Sequence, residues 1–594
     1  MSIFSKRLAP MARQGKREHI HLPSRVITTN DFGFCLPIFA REVIPGDQWH
    51  LDISSFLRLS PLSVPTYASI RQTVRAFYIR FSSVWLPWND FYAGRPYVNN
   101  GVSYNFDTVP QISNSQIVDF FAKNSTEITT GTPDFEAIVR VNPEDAVIKK
   151  FRFKDDYRRM YSLLLNLGYK INWVIWSPNH QYVSDDTSFS LLPILCYLRA
   201  YYDYYLPSRY TNTSSLRQIF DKVMYDAEDL QKILGFVRDT LYCNFDSDYF
   251  TASWLNPNSP LNQSETTQYV FKDASTYPSN YASVLANNNE TPELVFNLKT
   301  VRTGSLTQDS LNLLNAAYNW VVRQGLAGQR YFEQIFAQYG IKLPNILTRR
   351  CEFLGSTTST VMTQDVTSTA STQIGDTVTA LGDYAGKGHA ASQGSNIKLD
   401  AYDYGMLICI HNIIPDGGYV QGRNREVMHL ARYDYFQPEF DCVGMQAVRN
   451  DELFAMGDSG AEITSAHQPN GVFGFLPRYS EYRRPYDNLS GDFVIASRNT
   501  GLNSYHSFRI FDPTELSQSF PTNDLTFRQI SPDRERELPF SRIFNLTDDS
   551  YDHFICVFNI DAKVFRYMRT FQTSYLENLD GNNVVSLDPD CQLH

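Results

Sequence analysis

Gly457-Asp458-Ser459-Gly460 is the segment of this chain whose residue types come nearest to covalent chemistry. A serine on such a turn becomes a nucleophile when a histidine base and an orienting carboxylate stand beside it. No His-Cys segment of the chymotrypsin kind lies upstream, so a glycine-flanked turn is the simpler reading. Gly386-Lys387-Gly388 has the look of a phosphate loop, which needs glycine, four residues and then Gly-Lys-Ser/Thr. Gly382 is one position too close, and Gly388 stands where the magnesium-binding hydroxyl belongs. His19 with His21, and Asp548, Asp549 and Asp552, each supply part of a metal site, since imidazole suits transition metals and carboxylate suits calcium. Neither set completes a ligand spacing, and exposed polar turns account for both. No catalytic residue, metal or cofactor is therefore expected.

Charge gives a stronger signal. Residues 1–25 hold Lys6, Arg7, Arg13, Lys16, Arg17 and Arg25 against Glu18, a net of +5, which leaves −15 on the rest of a chain whose total is −10. A wholly nucleic-acid-coating surface is excluded by that balance, because such binding rests on cations neutralising phosphates. A short basic arm on an acidic body points instead to a polyanion on one side. Flexible Lys and Arg side chains follow a single-stranded backbone without reading its sequence. A solvated terminus is the alternative.

These residues need a scaffold, and the chain offers a β one. The turn Ile44-Pro45-Gly46-Asp47 leads into Trp49, Leu51 and Ile53 alternating with His50, Asp52 and Ser54, the period of a strand with one buried face. Phe77, Ile79 and Phe81 alternate with Ala76, Tyr78 and Arg80 ahead of Trp85-Leu86-Pro87-Trp88. Ile397 to Ile414 and Phe554 to Ile560 also read as strands, so the sheet draws on both ends of the chain. The abundance of aromatic residues, 37 Tyr and 40 Phe, favours pleated surfaces. Helices are expected over Ala146–Leu167, from Leu191 with Pro193 in the first turn, and between Asp309 and Tyr339, where Leu313, Ala317, Trp320 and Val321 form a stripe.

Two stretches lose their apolar period. Asn256 to Asn297 is rich in Asn, Ser, Thr and Pro and reads as an exposed excursion. Ser356 to Ser395 reads as a flexible loop or linker, or else as an ordered segment lying over a neighbouring subunit. The eight cysteines are scattered without a C-x-x-C pair, which implies reduced thiols, and the longest apolar run, Met406 to Ile414, is interrupted by His411 and Asn412. A soluble protein without signal peptide or membrane insertion is expected.

Ile44-Pro45-Gly46-Asp47, Phe56 to Leu62, Arg75 to Phe81 with Leu86-Pro87-Trp88, and Leu192-Pro193 with Arg199-Ala200-Tyr201 form an ordered set. Asp248 to Ser253, Gln329-Arg330-Tyr331, Phe353-Leu354-Gly355, Leu381 to Gly388, Asp434 to Phe440 and Pro477 to Tyr482 follow. In this order the segments resemble the major capsid proteins of the Microviridae, closest to the gokushovirus-like group of small single-stranded DNA phages. The chain departs from the pattern at Trp254-Leu255-Asn256-Pro257, where proline-tryptophan-proline would continue.

The resemblance implies a mainly β protein: an eight-stranded antiparallel jelly roll of the viral capsid type with long loop and helix-containing insertions. It implies self-assembly into a T=1 icosahedral shell around circular single-stranded DNA, inside a virion assembled in the bacterial host cytoplasm. Its implied partners are further copies of the chain, the genome, a minor pilot protein, a small basic DNA-binding protein and a host surface receptor. In that organisation residues 1–30 form a basic arm facing the interior, and 31–96 the first strands. Residues 97–395 form long insertions, with a surface protrusion near 256–297 and the Ser/Thr/Gly-rich stretch 356–395, and 396–594 hold the remaining strands and a C-terminal extension. A jelly-roll carbohydrate- or receptor-binding protein that forms no shell is the competing reading, and a jelly-roll hydrolase a weaker one.

Overall fold

A computed structural model describes chiefly residues 17–123, 126–171, 187–253, 330–453, 472–510, 540–545 and 552–567, several with short gaps. Ten strands form its two principal sheets: β1 (Arg17–Asn30), β2 (Leu36–Val43), β3 (Gln48–Leu59), β4 (Ile70–Arg80), β5 (Glu352–Thr360), β6 (Met362–Thr367), β7 (Tyr384–Ser392), β8 (Ile397–Asp400), β9 (Gly405–Pro415) and β10 (Phe554–Tyr567). One sheet runs β1-β10-β3-β7-β6, with β8 pairing the other half of β3; the second runs β5-β4-β9-β2. Every pairing within them is antiparallel.

The alternation read in β3 is realised. Trp49, Leu51 and Ile53 are buried opposite Val564, Ala562 and Ile560 of β10, while His50 and Asp52 face out. Burying such side chains contributes about 1.5–3 kcal/mol each. Residues Ala76 to Phe81 are instead buried on both faces. The reason is layering: Gln72 of β4 donates to Ser55 of β3 in the other sheet, whereas Phe77 packs on Tyr204 of a helix, ring centroids 5.1 Å apart. Strand β9 is buried along its whole length, which explains why its apolar run tolerates His411 and Asn412 only with partners.

Among the described residues the six longer helices are α1 (Asn114–Lys123), α2 (Asp155–Asn166), α3 (Leu192–Tyr204), α4 (Ser214–Phe220), α5 (Ala227–Asp239) and α6 (Tyr331–Tyr339). Helix α3 has Pro193 in its first turn, as expected. It covers the four-stranded sheet, and the hydroxyl of its Tyr197 donates to the carbonyl of Thr240 just past α5 at 2.8 Å.

Three expectations are corrected. The helix predicted over Ala146–Leu167 starts only at Asp155, where acidic residues oppose the positive end of the dipole, and Ile148–Arg152 before it is a strand paired with Ala137–Val141. The stretch 356–395, assigned to a loop or insertion, supplies most of β5 together with β6 and β7. Strand β5 pairs with β4 partly through polar side chains in place of apolar ones: the Thr73 and Thr358 hydroxyls lie 3.4 Å apart, and the Gln72 side-chain amide donates to the Ser359 hydroxyl at 2.6 Å. The basic arm, placed at 1–30, becomes a strand from Arg17 onward. Of the stripe between Asp309 and Tyr339, Leu313, Ala317 and Val321 lie outside the described residues, as does all of 256–297 except two short paired strands at Ser283–Val284 and Phe296–Asn297.

Candidate functional site

Of the six basic residues assigned to nucleic acid, Lys6, Arg7, Arg13 and Lys16 lie outside the described residues, Arg17 opens β1, and Arg25 is exposed on the same strand. Strand β1 pairs with β10 over fourteen residues, from Arg17 opposite Tyr567 to Asn30 opposite Phe554. Sequence reading missed it because polar His19, His21 and Arg25 share its outer face and Pro23 interrupts the β signal. Proline is tolerated there because, among the described residues, β1 is an edge strand with no further neighbour to receive its missing N–H.

Where β1 ends, a buried polar network ties the two chain ends to the inserted helix α2. Arg159 donates to Asp31 and to the Tyr242 hydroxyl, each at 2.6 Å, and Tyr242 in turn donates to Asp156 at 3.0 Å. His553, just ahead of β10, stands 3.4 Å from Asp31. Burial alone would raise the Asp31 carboxyl, but the charges of Arg159 and His553 outweigh it and hold that carboxyl below its ordinary range. Asp552, read from the sequence as part of a carboxylate cluster in an exposed turn, has a side chain only 3% exposed. It accepts from Arg158 at 3.0 Å and from Thr29 at 2.6 Å, so it is an ion-pair member. Asp548 and Asp549 lie outside the described residues. No local signal in the sequence could have paired Asp31 with Arg159, which are 128 positions apart.

The other chemical candidates resolve similarly. His21 bonds to Asp561 across β1 and β10, and the His19 ring lies 4.7 Å from that of Phe565. Lys387 sits within β7, and its flanking glycines exist for packing: a Cβ on Gly388 would come within 2.9 Å of Leu59, and one on Gly386 equally close to the Val64 carbonyl. Gly457 to Gly460 lie outside the described residues, as do Cys442 and Cys591. The six described cysteines are free and buried, and burial pushes the thiols of Cys35, Cys196, Cys351, Cys409 and Cys556 up. No cluster of three or more His, Cys, Asp or Glu fit for a metal occurs among the described residues.

A second, smaller core forms around Tyr249, Phe250, Tyr419, Leu453, Phe473 and Leu476. Beneath it Glu452 accepts from Tyr249 at 2.8 Å and from Arg425 at 2.6 Å. The segment from Arg425 to Phe440 leaves apolar side chains in water: Val427 is 71% exposed, Leu430 90%, Tyr433 60% and, within Asp434 to Phe440, Tyr435 54%. Exposed apolar surface of this kind marks contacts with other macromolecules.

Two packed antiparallel sheets, a pinned pair of terminal strands and apolar loops held outward define an architectural subunit. The comparisons agree. The capsid protein (F protein) family matches residues 11–576, and the chain belongs to that family. It is 24% identical to capsid protein VP1 of Chlamydia phage 1, covering 93% of this chain and 94% of that one. VP1 of Bdellovibrio phage phiMH2K is 21% identical over 86% of this chain and 88% of its own length, and VP1 of Spiroplasma virus 4 is 21% identical over 82% and 84%. The chain is a structural, non-enzymatic major capsid protein of the virion that assembles into a multimeric capsid. No described helix is long and apolar enough to cross a membrane.

Proposed function

We propose that copies of this chain close into a T=1 icosahedral shell around circular single-stranded DNA, with a jelly roll as the tangential wall. The family match across residues 11–576 carries this reading. Two sheets in face-to-face contact support it, since a jelly roll protects its edges by folding two sheets together. Symmetric closure multiplies individually modest contacts into a stable shell. Exposed aromatic residues such as Tyr433 and Tyr435, with the Arg478 guanidinium 5.2 Å from the Phe440 ring, are of the types that anchor subunit contacts.

The N-terminal segment would face inward, with Lys6, Arg7, Arg13, Lys16, Arg17 and Arg25 meeting the genome. The insertion at 256–297 would face outward at the threefold axes as the protrusion that meets a host receptor. A minor pilot protein and a small basic DNA-binding protein would complete the particle. Replacing Lys6, Arg7, Arg13, Lys16 and Arg17 with Gln should leave shell formation intact and lower retained DNA roughly twofold or more, because several phosphate contacts are lost. Absorbance of purified particles reads the DNA content, and equal values for variant and parent would remove the arm from this role.

A further inference from the structure

The outer face of the six-stranded sheet carries an ordered arrangement of cations and rings. In an antiparallel sheet, alternate residues on one face stand about 6.8 Å apart along a strand and neighbouring strands about 4.8 Å apart. One rung across this face reads His21, Lys563, His50 and Lys398, all exposed and in register on four adjacent strands. Two rungs further along, Arg25 stands opposite Asn559 and Ser54; at the far end, Thr29, Ile555, Arg58 and His389 align.

Between the cations stand rings and apolar side chains. Phe565 is 37% exposed beside His19, with the His50 ring 6.2 Å away. Phe56 is 38% exposed, in register with Val557 and, one strand further, Ile27, and the Arg58 guanidinium lies 5.3 Å from its centroid. The carboxylate of Asp561 is already engaged by His21 and, at 3.3 Å, by Lys563. Arg25, Arg58, Lys387, Lys398 and Lys563 outnumber the carboxylates of this face, Asp52, Asp400 and Asp561, although the whole chain is acidic, and the basic segment 1–16 leads in sequence into β1.

The geometry points to a seat for single-stranded nucleic acid: Phe56 and Phe565 stack bases, while Arg25, Arg58, Lys398 and Lys563 neutralise phosphates. Aromatic platforms interleaved with cations suit a single strand, whose unpaired bases offer free faces and whose backbone is anionic. A duplex offers no such faces. The inference rests on the reading of the chain as the wall of a single-stranded DNA particle and adds a defined binding face to the N-terminal residues.

The test uses the full, unassembled chain and a labelled oligodeoxythymidylate, followed by fluorescence anisotropy across a salt series. Phe56→Leu with Phe565→Leu should weaken binding tenfold or more without changing the salt slope, since each stacked base contributes about 1–3 kcal/mol. Arg58→Gln with Lys563→Gln should make the slope shallower, and a duplex of the same length should bind less tightly than the single strand. All four positions are exposed, and an unchanged thermal midpoint checks folding. Variants that bind like the parent overturn the inference, whether or not shells form. Substitutions that abolish self-association while leaving oligonucleotide binding intact overturn it as well, and assign the face to a second copy. A chain that binds the oligonucleotide through this face but never closes into shells contradicts the shell reading alone.

Discussion

Replacing Arg159 with Met should destabilise the folded chain by about 3–5 kcal/mol, the range for breaking a buried ion pair from one side. Asp31 and Arg159 are almost fully enclosed, with side chains 8% and 3% exposed. The single substitution leaves the Asp31 carboxylate in a low-dielectric site with only His553 and the Phe32 N–H to answer it. It also strips the Tyr242 hydroxyl of its guanidinium partner. Asp31→Asn combined with Arg159→Met should lose clearly less than the two single losses added, because contacting residues couple. Urea midpoints of the unassembled chain read all three variants. A loss under about 1 kcal/mol for Arg159→Met, or strict additivity, would show that the network does not pin β1, α2 and β10 together.

Acid should weaken the fold through His411. Its imidazole lies between the two sheets, 4.8 Å from the Phe558 ring, and burial depresses its pKa from the ordinary 6.5 to about 3. Asn30 explains the neutral form. The Asn30 side-chain oxygen accepts from the Asp31 N–H, so its amide nitrogen points at His411 Nδ1, 2.8 Å away, and donates to it. The proton of the neutral ring therefore sits on Nε2, and a second proton on Nδ1 would break the Asn30 bond. The unfolded chain binds that proton below pH 6.5 and the folded chain does not. Stability is accordingly complete above pH 6.5 and falls by about 1.4 kcal/mol per pH unit from there toward pH 3. His506, lowered to about 4 by burial and by Arg542, adds a loss of the same sign. Chemical unfolding at pH 7 and pH 5 should show the difference, and His411→Gln should flatten the dependence while lowering stability at neutral pH. Identical slopes in parent and variant would refute this placement of the proton.

What the sequence made legible was whatever local periodicity encodes. Trp49, Leu51 and Ile53, Phe554 through Ile560, and Pro193 at the start of α3 all lie where period and turn chemistry put them. Strand β5, paired partly through polar side chains, was not legible, since its Thr and Ser carry no apolar alternation. Nor were long-range pairs: β1 finds β10 across almost the whole chain, and Asp31 finds Arg159 only after the insertion folds back. The phosphate-loop look of Gly386-Lys387-Gly388 arose from close approach of β7 to Leu59 and Val64, a steric demand that composition does not display. The candidate nucleic-acid surface was legible as charge at the N-terminus. Its extension over β3, β8 and β10 required the register.

Electron microscopy of the purified chain under assembly conditions tests the central claim most directly. Closed particles of one diameter, reconstructing with T=1 icosahedral symmetry and with the Asp434–Phe440 loop buried between copies, are the predicted result. Monomers or isolated trimers at concentrations where capsid proteins assemble, with that loop still exposed, would contradict it and favour a receptor-binding protein that forms no shell.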